Sequence, residues 1–100
     1  MKRIRALIVD DEMAARDVLK NLLLRVSNSI DVIDTAHDVP DAVEKINSLK
    51  PDVVFLDVHL PNYAGYEIVN FFDKINFEII FVTAYDAYAI KAFELSAVDY

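Results

Sequence analysis

Three short segments of the chain are almost entirely apolar and do not alternate with polar residues. They are Ile4–Val9, Val53–Leu56 and residues 79–82, and Val, Ile, Leu and Phe dominate them. Runs of this length and composition predict strands that are buried on both faces, as in a parallel sheet covered by helices. A fourth segment, Ile30–Ala36, contains two aspartates among its apolar residues, which predicts a strand at the edge of the sheet.

Apolar residues at helical spacing fill the intervals between these predicted strands. In the first interval they recur every three or four positions, which predicts a helix with one inward face. That face consists of Ala15, Val18, Leu19, Leu22 and Val26. A second helix is predicted after Asp38, because Pro40 suits a first helical turn and apolar residues then repeat over residues 42–49. The same spacing predicts two more helices over residues 65–73 and 86–95.

The elements follow one another in the order β-α-β-α-β-α-β-α, with a fifth strand starting near Ala97. This alternation predicts right-handed crossovers and an α/β fold with a doubly wound parallel sheet. The 100 residues are enough for one domain, and no linker, repeat or low-complexity stretch divides them. Because the chain stops inside the predicted fifth strand, we expect a domain spanning residues 1–100 that is cut from a longer protein.

Composition and charge exclude several classes of function. Seventeen acidic and ten basic residues give a net charge of −7, which does not provide the cationic surface that duplex DNA requires. The single glycine excludes a glycine-rich phosphate loop, and the lack of cysteine excludes disulfides and thiolate metal sites. No apolar run is long enough to span a membrane or to form a signal peptide, so we expect a cytoplasmic domain.

Carboxylates follow the first and third predicted strands at the ends where a doubly wound sheet binds ligands. Asp10 and Asp11 come directly after the first strand, Asp57 follows the third, and Thr83 follows the fourth. If the first and third strands are neighbours, the three aspartates converge, and like charges so close together raise one another's pKa. A hard divalent cation relieves this repulsion, and Mg2+ suits an all-oxygen site that also contacts phosphate.

This arrangement predicts phosphoryl transfer to an aspartate. A carboxylate can attack phosphorus to form an acyl phosphate, while a metal ion and the Thr83 hydroxyl hold the phosphoryl oxygens. Asp57 is the better nucleophile because it stands alone at the start of a loop, whereas the adjacent Asp10 and Asp11 suit metal binding. A simpler alternative is that the acidic residues after the first strand only cap the following helix.

Four stretches carry these aspartates and their neighbours: LIVDDE at residues 7–12, VFLDVHLP at 54–61, GYE at 65–67 and FVTA at 81–84. Together they resemble the receiver domain of bacterial two-component response regulators. Each stretch is weak alone, but the combination has the order and spacing of that family over essentially the whole chain. The C-terminal segment, TAYDAYAIKAFELSAVDY, further resembles the LytTR-type subgroup, in which a DNA-binding domain normally follows the receiver.

The resemblance implies a flavodoxin-like (βα)5 fold with strand order 2-1-3-4-5, and it implies a role for each matching residue. Asp57 matches the aspartate that a histidine kinase phosphorylates. Asp10 and Asp11 match the acidic pair that binds Mg2+, together with Asp57 itself and the backbone carbonyl of His59. The resemblance therefore implies a magnesium-dependent phospho-acceptor site at the carboxyl ends of the strands.

The resemblance also implies a two-state switch. Thr83 matches the hydroxyl residue that turns toward the phosphoryl group, and Tyr100 matches the aromatic residue that moves with it. These changes would alter the surface around residues 86–95, and the surface of residues 86–100 is also a candidate homodimer surface. Receivers carry a lysine three residues after the position of Tyr100, followed by a fifth helix, and both positions lie beyond this chain. We therefore expect an incomplete last strand and helix, and full phosphorylation competence only in a longer protein.

Two other functions fit parts of the sequence. A haloacid-dehalogenase-type phosphatase also uses an aspartate nucleophile after an apolar strand, but it needs a second acid where this chain has His59. A receiver-like module that takes no phosphate and acts only through contacts or dimerisation is the second alternative, and the intact acidic residues argue against it. We therefore expect a signalling domain that is not an enzyme, does not contact membranes, and reaches DNA only through an output domain outside this chain.

Overall fold

A computed structural model describes residues 3–82 and the backbone of residues 98–99. Five strands form one sheet: β1 (Ile4–Val9), β2 (Ile30–Ala36), β3 (Val53–Leu56), β4 (Glu78–Phe81) and β5 (Val98–Asp99). Their order across the sheet is β2-β1-β3-β4-β5, and every neighbouring pair is parallel. The predicted α/β fold, its strand order and the edge position of β2 are confirmed.

The continuous apolar runs supply side chains to both faces of the sheet. On one face, Leu7 and Val9 of β1 belong to a core that also includes buried residues of β3 and β4. On the other face, Ala6 and Ile8 pack with Phe55 in a smaller cluster. Because successive side chains of a strand point to opposite faces, a strand covered on both sides needs apolar residues at every position.

The first helix, α1 (Met13–Val26), covers the smaller cluster with a face that only partly matches the predicted one. Leu19 and Leu23 pack toward the sheet, whereas Val18 is 60% exposed and Val26 is 72% exposed. Leu22 also lies largely in solvent. The prediction was right for Leu19 and wrong for Val18 and Val26, because α1 has apolar residues on two adjacent stripes and only contact with the sheet decides which stripe is buried.

The second helix, α2 (Val39–Leu49), begins where the sequence predicts and packs on the larger cluster. Asp38 is its N-cap and accepts the Asp41 N–H at 2.8 Å, and Pro40 lies in the first turn. Asp41 also contacts His37 Nδ1 at 2.9 Å and Lys45 Nζ at 3.3 Å. Burial alone would raise the pKa of Asp41, but the His37 N–H and the Lys45 ammonium favour the carboxylate and hold its pKa below the ordinary value.

The third helical segment is a 3₁₀ helix, Gly65–Phe71, rather than the predicted α-helix. Its sequence, GYEIVNF, combines glycine with β-branched, aromatic and asparagine residues, all of which have modest or low helix propensity. The helix predicted over residues 86–95 lies outside the described residues. In the part of the chain that the structure describes, no helix is long and apolar enough to cross a lipid bilayer.

Candidate metal centre

Backbone hydrogen bonds place Asp10 and Asp57 next to each other at the carboxyl edge of the sheet. Val9 of β1 pairs with Leu56 of β3. The alignment continues for one more residue, because the Asp57 N–H donates to the Val9 carbonyl at 3.0 Å. On the other side of β1, the Asp10 N–H donates to the carbonyl of Ala36 at 3.0 Å. Both aspartates therefore come directly after hydrogen-bonded strands, which fix the positions of their backbones.

The structure brings three aspartate side chains together at this edge. One carboxylate oxygen from each of Asp10, Asp11 and Asp57 lies within 4.8 Å of the other two. Asp10 and Asp57 are half-buried, and Asp11 is exposed. Asp10 and Asp57 also border a groove of about 350 Å³ whose lining is mostly apolar. Among the residues that the structure describes, no other group of three or more His, Asp or Glu side chains converges in this way.

Partial burial raises the pKa of both Asp10 and Asp57, because desolvation disfavours the charged form. Backbone donors oppose this effect: the Glu12 N–H reaches Asp10 Oδ1 at 3.0 Å, and the His59 N–H reaches Asp57 Oδ1 at 3.3 Å. The negative charge of the neighbouring aspartates raises both pKa values further. A cation bound between the carboxylates would reverse this repulsion and favour their ionised form.

The acidic residues that precede α1 are not explained by helix capping. Glu12 occupies the N-cap position, but its side chain makes no capping hydrogen bond, and the first turn of α1 contains no acidic residue. The Asp10 carboxylate instead accepts the Glu12 N–H, and Arg16 Nη1 donates to the Asp10 backbone carbonyl at 2.8 Å. These contacts fix the segment that carries Asp10 and Asp11 and leave their carboxylates close to Asp57.

His59 contributes to the site through its backbone. It follows Asp57 by two residues, its side chain is exposed, and its N–H donates to the Asp57 carboxylate. His59 also forms an isolated antiparallel bridge with Ala64, which closes the intervening loop. The role predicted for the His59 carbonyl as a metal ligand stays a prediction.

The remaining predicted site residues, Thr83 and Tyr100, lie outside the described residues. So does the surface predicted over residues 86–100, apart from the backbone of β5. The fourth strand ends at Phe81, and the next residue, Val82, still donates its N–H to the Leu56 carbonyl at 3.0 Å. The roles of Thr83, Tyr100 and this surface therefore stay predictions.

Two residues of the GYE stretch, Gly65 and Glu67, matched the family pattern, but neither of them was assigned a role in the site from the sequence. A Cβ atom added to Gly65 would lie 2.0 Å from the backbone carbonyl oxygen of Asp57. Glu67 Oε2 accepts the Ala64 N–H at 2.7 Å and so holds the end of the loop that follows Asp57. The signal for Gly65 was present, because it is the only glycine in the chain. The contact made by Glu67 depends on the loop conformation, and the GYE stretch alone does not specify it.

In the absence of divalent cations, the raised pKa values of Asp10 and Asp57 are expected to make the protein less stable as the pH rises. A carboxyl group whose pKa is higher in the folded state binds its proton more tightly when folded. Its contribution to the free energy of unfolding is therefore greatest in acid and is lost as the pH rises through the folded-state pKa. The pKa of Asp41 is lowered, so its contribution is present at neutral pH and is lost on acidification.

Asp57→Asn and Asp41→Asn each remove one negative charge. They test whether an aspartate with a raised pKa and one with a lowered pKa have opposite effects on stability at neutral pH. At about pH 7 without divalent cations, we expect Asp57→Asn to raise the thermal midpoint and Asp41→Asn to lower it. Both differences from the wild type should shrink on acidification, and the Asp41 difference should persist to lower pH because the folded-state pKa of Asp41 is lowered and that of Asp57 is raised. A thermal midpoint for Asp57→Asn at or below that of the wild type at neutral pH would contradict the electrostatic interpretation of the cluster.

The chain belongs to the response regulator receiver domain family, which matches residues 6–100. Domains of this family are signal-transducing phospho-acceptors. Among the relatives, the chain is 48% identical over 99 residues to the sensory transduction protein LytT of Bacillus anthracis. This match covers 97% of the chain and 40% of LytT, so the chain spans about two-fifths of that relative's length. The predicted similarity to LytTR-type receivers is confirmed.

Solved structures agree with this assignment. The response regulator domain of Thermotoga maritima CheB superposes with a TM-score of 0.85 at 34% identity, covering 96% of this chain and 75% of that one. A chain of the CheX-CheY-BeF3-Mg2+ complex from Borrelia burgdorferi gives a TM-score of 0.81 at 26% identity. That match covers 98% of this chain and 75% of the other. The fold is therefore that of receiver domains.

Proposed function

We propose that Asp57 is the phospho-acceptor of this receiver domain and that Asp10 and Asp11 bind Mg2+ beside it. The observation that carries the proposal is the convergence of the three carboxylates at the carboxyl ends of two central strands. Ligands of doubly wound sheets bind at this edge. The Borrelia complex, which contains BeF3 and Mg2+, supports the same class of ligand for a domain of this fold.

The residues of the cluster fit Mg2+. All three side chains offer carboxylate oxygens, which are the ligands that this hard cation prefers. The exposure of Asp11 leaves room for the water molecules that Mg2+ usually keeps, and the backbone carbonyl of His59 is the proposed further ligand. When bound, Mg2+ supplies positive charge that neutralises the carboxylates and the phosphoryl oxygens as the acceptor approaches phosphorus.

The proposed reaction is transfer of a phosphoryl group from a phosphohistidine of a histidine kinase. An oxygen of the Asp57 carboxylate forms the new O–P bond while the N–P bond of the phosphohistidine breaks, and the imidazole nitrogen keeps the electron pair. The His59 N–H orients the Asp57 carboxylate, and the half-buried position limits attack on the acyl phosphate by water. The chain acts here as a signalling domain, with the phosphoryl group as its signal.

The proposed output involves residues at the end of the chain. Thr83 would contact the phosphoryl group, Tyr100 would move in response, and the surface of residues 86–100 would change its contacts with a second receiver or an output domain. The name of one relative, the transcriptional regulatory protein BtsR of Salmonella typhi, supports a DNA-binding output in a longer protein, which we propose to be cytoplasmic. That relative is 43% identical over 98 residues.

Incubation with acetyl phosphate tests the proposed acceptor. We expect the wild-type protein to gain a phosphoryl group on Asp57 only when Mg2+ is present, and to lower occupancy than a longer protein that carries the lysine expected three residues after Tyr100. Mass spectrometry of intact protein and peptides measures the occupancy. Asp57→Asn should gain none, because its amide is a poor nucleophile.

The matched control is Asp31→Asn, which removes the same charge from an exposed position on the edge strand β2. This variant should be phosphorylated like the wild type. Equal phosphorylation of Asp57→Asn would exclude Asp57 as the acceptor. A longer protein that carries the lysine expected after Tyr100, binds Mg2+ and still takes no phosphoryl group would favour the alternative of a receiver-like interaction module.

A further inference from the structure

We propose that Gly65 is a positioning residue for Asp57. Its lack of a side chain allows the Gly65 backbone to pack directly on the Asp57 peptide, and this contact fixes the acceptor carboxylate beside Asp10 and Asp11. The inference rests on the proposed function of Asp57, but it concerns a different residue and has a separate readout.

The backbone of Asp57 and Val58 leaves no room for a side chain at Gly65. A Cβ atom at this position would lie 2.0 Å from the Asp57 carbonyl oxygen, 3.0 Å from the Asp57 carbonyl carbon and 3.1 Å from Val58 Cα. All three are backbone atoms, so no flexible side chain can move aside. The φ angle of Gly65 is not positive, so its backbone conformation is open to other residues. The site therefore requires glycine for close approach and not for an unusual backbone angle.

Both backbones that meet at Gly65 are held in place. The Asp57 N–H is part of the sheet through its bond to the Val9 carbonyl, and the Gly65 N–H donates to the Val58 carbonyl at 2.7 Å. The side chains that flank this contact are deeply buried, since Val58 is 1% exposed and Ile68 is 0% exposed. A methyl group at Gly65 would therefore displace the peptide that joins Asp57 to Val58.

Further contacts close the loop between Asp57 and Gly65, which orients the Asp57 carboxylate. His59 and Ala64 form an antiparallel bridge across this loop, and Glu67 Oε2 accepts the Ala64 N–H at 2.7 Å. The His59 N–H then donates to the Asp57 carboxylate. Gly65 and Glu67 thus hold one end of a loop whose other end carries the carboxylate and its backbone donor.

Titration of the protein with Mg2+ alone, by calorimetry well below the thermal midpoints, gives the first readout. We expect Gly65→Ala to weaken Mg2+ binding by about 10-fold or more, the usual cost of losing an outer-shell support of a metal site. Glu67→Ala should weaken binding less, and Glu67→Gln should restore it, because its side-chain carbonyl can still accept the Ala64 N–H. If Gly65→Ala does not fold, the two Glu67 variants test the same end of the loop.

The amide resonance of His59 in metal-free protein gives the second readout. We expect it to shift in Gly65→Ala and Glu67→Ala and to return toward its wild-type position in Glu67→Gln. The control is Ile46→Ala, which removes a core side chain of α2 and lowers the thermal midpoint at a position outside both the loop of residues 58–64 and the acidic cluster. Its Mg2+ affinity and its His59 resonance should match those of the wild type.

The two readouts separate failure of this inference from failure of the proposed function. If the wild type binds Mg2+ and folded Gly65→Ala binds it equally well with an unshifted His59 resonance, the positioning role of Gly65 is overturned and the acceptor site stands. If the wild type does not bind Mg2+ but the resonance shifts in Gly65→Ala, the positioning role is supported and the proposed metal site fails. Equal losses of Mg2+ affinity in Gly65→Ala and Ile46→Ala would mean that Gly65 affects binding only through the stability of the fold, and this would overturn the inference.

Discussion

Replacing Asp10 and Asp11 together with asparagine is expected to weaken Mg2+ binding by more than about 100-fold, beyond the ~10–100-fold cost of losing an outer-shell partner. Each substitution exchanges a charged oxygen ligand for a neutral amide, and the pair leaves Asp57 as the only carboxylate of the cluster. The fold should persist, because the double variant also removes like charges that crowd one another. Calorimetric titration of the folded protein with Mg2+ measures the change.

A second double variant, with Asp17 and Asp31 replaced by asparagine, provides the matched control. Both residues are exposed and lie outside the cluster, on α1 and β2. Each double variant changes the net charge from −7 to −5, since two negative charges are removed. The control should keep an affinity for Mg2+ close to that of the wild type. If the two double variants bind Mg2+ equally well, general electrostatic attraction and not a defined site is responsible for binding.

Replacing Leu7 with alanine is expected to reduce the free energy of unfolding by about 3 kcal/mol, within the range for buried leucines that leave a cavity. Leu7 is 0% exposed and lies in the central strand β1, in the larger core cluster under α2. A loss of this size is a substantial part of the ~5–15 kcal/mol that stabilises a typical domain. Urea denaturation measures it as a lower midpoint with an unchanged slope.

Leu24→Ala is the control for this core substitution. Leu24 lies on α1 and is 51% exposed, so the same truncation there should change the free energy of unfolding by no more than about 0.5 kcal/mol. The difference between the two variants isolates the effect of burial from the change in side-chain size. Similar losses for both would contradict the burial of β1 inside the sheet, between β2 and β3.

The parts of the fold that the sequence predicts are those set by patterns along the chain. The apolar runs of β1 and β3 predict strands covered on both faces, and the same residues pack on both faces in the structure. The N-cap of α2 at Asp38 was also predictable, because aspartate followed by proline in the first turn is a local signal. Strand order came from resemblance to a known family, since periodicity alone does not specify which strands are neighbours.

The parts that the sequence did not predict depend on contacts between distant residues. Whether Val18 or Leu23 of α1 faces the sheet depends on how the helix docks, and both choices have apolar residues at helical spacing. The 3₁₀ geometry of Gly65–Phe71 and the close approach of Gly65 to Asp57 likewise arise from packing of the loop onto β3. The pKa values of Asp10 and Asp57 depend on burial that only the folded chain creates.

Anomalous diffraction from crystals grown with Mn2+ tests most directly whether residues 10, 11 and 57 share one cation. Mn2+ prefers oxygen ligands and octahedral sites, as Mg2+ does, and its position can be located independently of the protein atoms. We predict one strong anomalous peak among Asp10, Asp11 and Asp57, bound to their oxygens directly or through an ordered water. Absence of a peak there at saturating Mn2+, or a peak bound by other residues, would contradict the proposed metal centre and the phospho-acceptor role that depends on it.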